Sequence, residues 1–171
     1  PRWYGMASVK WLTHIQIVGK PYEGFFQKRR YVFINEGVEN TSERKPVTTL
    51  RVKTLITRPR HGEVIQQGSF TIRGFAWSGD GNLTKVEIST DGGRRWQEAS
   101  LVGEPNPNCW QEWEIPWKAS DPGHFIFMAS ATDSAGNSQP KIVPWNFRGY
   151  ANNSIHTLAV EVSASRPNPS G

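Results

Sequence analysis

Cysteine is almost missing from this chain: Cys109 is the single thiol in 171 residues. One thiol excludes an internal disulfide and every zinc or iron–sulfur framework built on several cysteines. The four histidines, at 14, 61, 124 and 156, lack the close spacing of a metal site. Long apolar runs are missing too. Hydrophobic residues make up 36% of the chain and mean hydropathy is −0.57, and no stretch reaches the roughly 18 apolar residues of a membrane span. Nor is there a strong surplus of either charge: 20 Lys and Arg against 15 Asp and Glu leave +5. An ordinary globular surface accounts for that, with no nucleic-acid partner implied. Helical periodicity of useful length is absent as well. What remains is eight Trp, 16 Gly and 12 Pro, a composition of strands and turns.

The length suits one domain plus an appendage. The chain opens Pro1-Arg2-Trp3-Tyr4, with neither an initiator Met nor a signal segment, so it is expected to be a fragment whose targeting information lay upstream. Residues 1–46 read as an extended arm and linker. They hold one short alternating run over 12–17, the aromatic pair Phe25 and Phe26, the cationic Lys28-Arg29-Arg30 and a polar stretch over 35–45. Beyond Pro46 the pattern changes to β-like runs over 50–57, 69–77, 84–90, 94–100, 110–117, 124–132 and 155–162, separated by turn residues. In Phe70-Thr71-Ile72-Arg73 and Lys85-Val86-Glu87-Ile88 apolar and polar residues alternate, which buries one face of an antiparallel sheet. Asp91-Gly92-Gly93 between two runs signals a hairpin. The expected fold is all-β, an immunoglobulin-like sandwich of about seven strands. It spans 47–162 and is followed by a loose tail over 163–171.

Few residues suggest chemistry. Cys109 lies in a Pro- and Asn-rich stretch without a nearby cation to lower its pKa, and reads as inert. His14 and His156 fall in predicted strands, where a hydrogen-bonded structural role is expected. Trp77, Trp96, Trp110, Trp113 and Trp117 fall in strands or at their ends; core packing is expected for most, and an exposed platform for stacking sugars is the alternative. Glu112 and Glu114 share a strand face and read as a polar edge, short of the placed carboxylate pair that glycoside hydrolysis needs. Two segments look unlike scaffold. In Gly5-Met6-Ala7-Ser8-Val9-Lys10-Trp11, small residues that permit close backbone approach precede a Lys and a Trp, suited to an anionic or heteroaromatic ligand. In 145–153 a single Arg148 stands among aromatics and amides. Its planar donors suit an oxyanion, although a surface Arg on a loop fits the spacing equally well.

At these two segments and between them the sequence resembles the C-terminal part of the sulfite oxidase family of molybdenum-cofactor enzymes, which includes sulfite dehydrogenases and assimilatory nitrate reductases. The resembling stretches are Ala7-Ser8-Val9-Lys10-Trp11-Leu12, Gly74-Phe75-Ala76-Trp77-Ser78-Gly79, Ser89-Thr90-Asp91-Gly92-Gly93-Arg94-Arg95-Trp96, Ala131 to Pro140, and Trp145-Asn146-Phe147-Arg148-Gly149. They occur in the family's order over most of the chain.

The resemblance implies that 1–46 closes a molybdopterin-binding catalytic domain, with Ser8, Val9 and Lys10 as cofactor contacts. It implies that 47–162 is the dimerisation domain, pairing two protomers. Arg148 matches the family's substrate-anion Arg, and because plant nitrate reductases tend to carry Met there, it favours sulfite. The molybdenum-binding cysteine thiolate has no counterpart, since Cys109 lies in the wrong region. The fragment is therefore expected to be inactive alone, its molybdenum-molybdopterin bound mainly by a missing catalytic domain. The implied whole is a molybdopterin-dependent oxidoreductase converting sulfite to sulfate, with a cytochrome as possible electron acceptor and a bacterial periplasmic location. Nitrate or another oxyanion as substrate is one alternative; a non-catalytic carbohydrate-binding module is the other.

Overall fold

The computed structural model describes residues 2–34, 44–106 and 109–164. Its strands are β1 Lys53–Arg58, β2 Val64–Gln66, β3 Gly68–Trp77, β4 Leu83–Ser89, β5 Gln97–Glu98, β6 Ser100–Val102, β7 Gln111–Ala119, β8 Gly123–Asp133 and β9 His156–Ser163. They form a β-sandwich of two sheets, one ordered β1-β3-β7-β6 and the other β2-β9-β8-β4-β5. Alternation along the strands produces it. In β3, Ile72, Gly74 and Ala76 turn inward while Arg73, Phe75 and Trp77 turn out; β8 buries Phe127, Ala129 and Ala131 in the same way. Trp113 of β7 lies at the centre with no solvent exposure, among Val52, Ile56, Ile72, Val86 and Phe127. Gly74 is required beside it, because a Cβ there would overlap the Leu55 carbonyl oxygen and the Trp113 ring.

The seven runs predicted beyond Pro46 all contain strand, with two differences. The run over 94–100 keeps only the two residues of β5 and the first of β6, because the turn before it extends further than the glycines alone suggest: the Asp91 carboxylate accepts the backbone N–H of Arg94 at 3.1 Å and of Arg95 at 2.9 Å. Gly92 and Gly93 take φ of 74° and 89° there, a conformation that side chains with a Cβ rarely adopt. Two further strands, β2 and β6, are three residues each, too short to show periodicity. β2 exists by pairing in parallel with β9.

The strand expected over 12–17 is absent. Residues 8–23 are all exposed, with Trp11 at 93% and Ile17 at 98%; among the described residues no neighbouring strand covers them. His14 therefore has no strand setting. The expectation that most of the five tryptophans fill the core also fails. Trp113 alone is fully buried; Trp117 packs edge-on against Phe125 and Phe127, Trp77 and Trp96 are half-buried, and Trp110 stacks on Trp77 at 4.9 Å on the outside. Parity explains it: Ala76 and Gln111 are paired inward-facing residues, so Trp77 and Trp110 next to them face out. Much of the polar stretch 35–45, and the tail beyond 164, lie outside the described residues.

Candidate anion and cofactor site

The segment joining β8 to β9 carries Arg148, and buried polar side chains shape it at both ends. At its start Asp133, 2% exposed, accepts the Ser78 hydroxyl at 2.6 Å and the backbone N–H groups of Ala135 and Asn137 at 3.0 and 2.9 Å. Burial raises its pKa, but these donors outweigh burial and hold the carboxyl below its ordinary value. Gln139, 4% exposed, then joins three parts of the molecule. Its Oε1 accepts Thr54 N–H of β1 at 2.8 Å and Ala131 N–H of β8 at 3.1 Å; its Nε2 donates to the carbonyls of Asn153 and Ser154 at 3.3 and 2.8 Å. Further along, buried Asn146 closes a turn on itself, donating Nδ2 to the Tyr150 carbonyl at 2.8 Å and accepting Tyr150 N–H at 3.2 Å. This turn presents Arg148.

The turn rests on the arm. Phe147 N–H donates to the Ile34 carbonyl at 2.9 Å, Tyr31 meets Tyr150 edge-on at 6.0 Å, and Arg148 Nη1 donates to the Arg30 carbonyl. Arg30 ends a π-helical turn, Phe26–Arg30, closed by Tyr31 N–H to the Phe26 carbonyl at 2.8 Å. No carboxylate lies within ion-pair distance of Arg148 among the described residues. Phe26 and Tyr31 also wall a cavity of about 160 Å³ with Trp3, Met6 and Val47.

Ser8 follows that cavity wall by two residues. It ends the 3-10 turn Gly5–Ala7, its N–H donating to the Gly5 carbonyl at 3.1 Å. Ser8, Val9 and Lys10 are exposed, and the structure brings none of them into contact with Arg148. Among the described residues neither the Ser8 hydroxyl nor the Lys10 ammonium has a partner. Among the described residues no group of His, Cys, Asp or Glu could hold a metal ion.

The other candidates resolve into structure. Glu112 and Glu114 share the outer face as expected, and Glu114 pairs with Arg73 at 3.0 Å. Cys109 is exposed. His156 has the structural role expected of it: its Nδ1 accepts Ile56 N–H at 3.0 Å. Gln139, Asn146 and the Arg30 carbonyl are the functional surroundings that sequence reasoning missed. The first two lie within the resembling stretches, but nothing in spacing distinguishes a buried amide from an exposed one.

A sandwich with a braced, cation-bearing loop at one end defines the class, and comparison with known proteins specifies it. Residues 44–163 match the Mo-co oxidoreductase dimerisation domain, and the chain belongs to that family, the C-terminal domain of the sulfite oxidase type of molybdenum oxidoreductase. It is 33% identical to mitochondrial sulfite oxidase of Mus musculus over 92% of its length, and 32% identical to sulfite oxidase of Arabidopsis thaliana over 94%. It covers 31% and 45% of those proteins, respectively. An NADH nitrate reductase of Ulva prolifera is 29% identical over 92% of the chain and 21% of its own length. The crystal structure of the sulfane dehydrogenase SoxCD from Paracoccus pantotrophus superposes with a TM-score of 0.77 at 27% identity, covering 92% of this chain and 41% of that one.

Proposed function

We propose that this chain is the dimerisation segment of a molybdopterin-dependent oxidoreductase that converts sulfite to sulfate. Residues 1–46 would close its catalytic domain. Arg148 would bind the substrate anion, and Ser8, Val9 and Lys10 would form one edge of the cofactor site. The observation that carries this reading is Arg148 itself: a guanidinium fixed by the Arg30 carbonyl on a turn braced by Asn146, with no carboxylate in ion-pair distance among the described residues. Such a group attracts a dianion and orients it through planar donors. The bound molybdenum centre supplies the redox chemistry. Ser8 and Lys10 contribute a hydroxyl and an ammonium suited to the polar edge of a pterin. Because the chain spans less than half of the relatives it matches, the reaction belongs to the intact protein, and this segment alone is inactive.

The likeness to sulfite oxidases favours sulfite; the likenesses to a nitrate reductase and a sulfane dehydrogenase supply the competing substrates. Steady-state assays of the intact protein with sulfite, nitrate and a sulfane separate them. Arg148→Met should raise the sulfite KM at least about tenfold, the loss of one charge-assisted hydrogen bond of about 1.5–3 kcal/mol. An unchanged KM would remove Arg148 from the site.

A further inference from the structure

The loop that carries Arg148 returns to the start of β1, and two cations meet it there. Arg51 Nη1 donates to the Ala151 carbonyl at 3.4 Å and Lys53 Nζ to the Asn152 carbonyl at 3.0 Å; between them the Val52 carbonyl accepts Asn153 Nδ2 at 3.3 Å. Residues 51–53 thus grip residues 151–153. Among the described residues neither cation forms an ion pair, so no carboxylate there competes for these donors. Bonds from an ionised donor are stronger than neutral ones, and this loop has need of them. Ala151 is buried with φ of 56°, a conformation that a residue with a Cβ keeps only where its surroundings impose it. Packing on this side is incomplete, since Arg51, Asp80, Asn137 and Asn153 wall a cavity of about 420 Å³. Arg51 also reaches the arm. Its guanidinium lies over the Phe33 ring, 5.0 Å from the centroid, and its backbone N–H donates to the Tyr4 hydroxyl at 3.3 Å. Phe33 adjoins Ile34, whose carbonyl accepts Phe147 N–H. The arm and the loop, both supports of Arg148, therefore meet on one side chain.

We infer that Arg51 is a positioning residue for Arg148, with Lys53 in support: together they fix residues 151–153 and so set where the Arg148 guanidinium stands. The inference rests on the proposed role of Arg148 as the ligand of the substrate anion, and it deepens that role by tying its geometry to the first residues of the sandwich. Arg51 acts through the loop and the arm, without contact to the anion. A guanidinium that loses its fixed orientation loses the alignment of its planar donors with an oxyanion. Weakening the grip should therefore appear as weaker substrate binding, with the redox step at saturating substrate little changed.

The test is steady-state sulfite oxidation by the intact protein, comparing wild type with Arg51→Met, Arg51→Lys, Lys53→Met, Arg148→Met and the double variant Arg51→Met/Arg148→Met. Arg51→Met should raise the sulfite KM about fivefold and leave kcat within about twofold, a size usual for residues coupled through one hydrogen-bond network. Arg51→Lys keeps a cation over Phe33 and a donor for the loop, and should recover most of the wild-type KM. Lys53→Met should raise KM by about twofold, and it carries the test if Arg51→Met fails to fold. In the Arg148→Met background the Arg51 substitution should change KM no further, because its route to the anion is gone. An equal rise in both backgrounds would make Arg51 an independent long-range charge and overturn the inference. Hydrogen exchange of Arg51→Met should quicken at 147–152 ahead of the strands; unchanged exchange there, or a loss confined to Tm, would also overturn it. If wild type does not oxidise sulfite, or Arg148→Met leaves KM unchanged, the anion-site reading fails and the inference with it. A KM raised by Arg148→Met but by neither Arg51→Met nor Lys53→Met overturns the positioning role alone.

Discussion

The indole Nε1 of Trp113 donates a 2.8 Å hydrogen bond to Thr54 Oγ1, and neither residue is exposed to solvent. The Thr54 hydroxyl in turn donates to the Phe75 carbonyl at 3.1 Å. The largest core side chain thus has its only polar atom satisfied by a strand across the sheet. Thr54→Val keeps the shape and removes the acceptor, leaving a buried N–H without a partner. A loss of about 1–3 kcal/mol in stability is expected from urea unfolding of the intact protein. A neutral result would mean that water replaces the hydroxyl.

Gln139→Leu should cost at least as much. It removes the acceptor from two buried backbone N–H groups, Thr54 and Ala131, and the donor from the Asn153 and Ser154 carbonyls. Each orphaned group carries about 1–3 kcal/mol. Because Gln139 also ties down the segment that follows Arg148, hydrogen exchange should quicken at 146–154 before the rest of the sandwich. Uniform quickening would make Gln139 a core residue only.

Gly74→Ala tests the packing limit beside Trp113. The added Cβ meets backbone at the Leu55 carbonyl as well as the ring, and backbone does not yield as a flexible side chain does. Destabilisation of about 1–3 kcal/mol is expected, read as a lower Tm by calorimetry. Gly92→Ala, at a surface turn where an added Cβ makes only ordinary contact with Ile126 but φ is positive, should cost about 1 kcal/mol.

His156 predicts a pH dependence. Its Nδ1 must be unprotonated to accept the Ile56 N–H. Burial first, and then the nearby Lys53 and His61, push its pKa below the ordinary 6.5. A histidine depressed in the folded state binds its proton more readily when unfolded, so its contribution is complete above about pH 6.5 and is lost as pH falls from there towards the folded pKa. Melting temperature should therefore fall between pH 7.5 and 5. In His156→Gln, which offers an uncharged acceptor, that slope should flatten. An equal slope in both proteins would assign the effect elsewhere.

Much of the sandwich is legible because alternation is a local property. A strand with one wet face writes its phase into consecutive residues, as Phe70 to Arg73 and Lys85 to Ile88 do. The short strands β2 and β6 are not legible, because three residues carry no period, and β2 pairs with a strand distant in sequence. The alternating run over 12–17 shows the converse. Its pattern is strand-like, but a strand needs a neighbour, and among the described residues none meets it.

The candidate site divides in the same way. Ser8, Val9, Lys10 and Arg148 stand out by residue type and by the stretches that contain them. That Arg148 is held by a carbonyl of the cationic turn at Arg30 depends on a contact between residues more than a hundred positions apart. The fates of the tryptophans depend on register as well as composition.

The sequence by itself determined the all-β class, the hairpin at Asp91-Gly92-Gly93, the family and the residues capable of chemistry, since each follows from local pattern or from side-chain type. Tertiary structure alone decided which tryptophan fills the core and which amides are buried. These depend on which strands lie beside one another, and pairing across long separations is settled by burial and hydrogen-bond satisfaction over the whole chain.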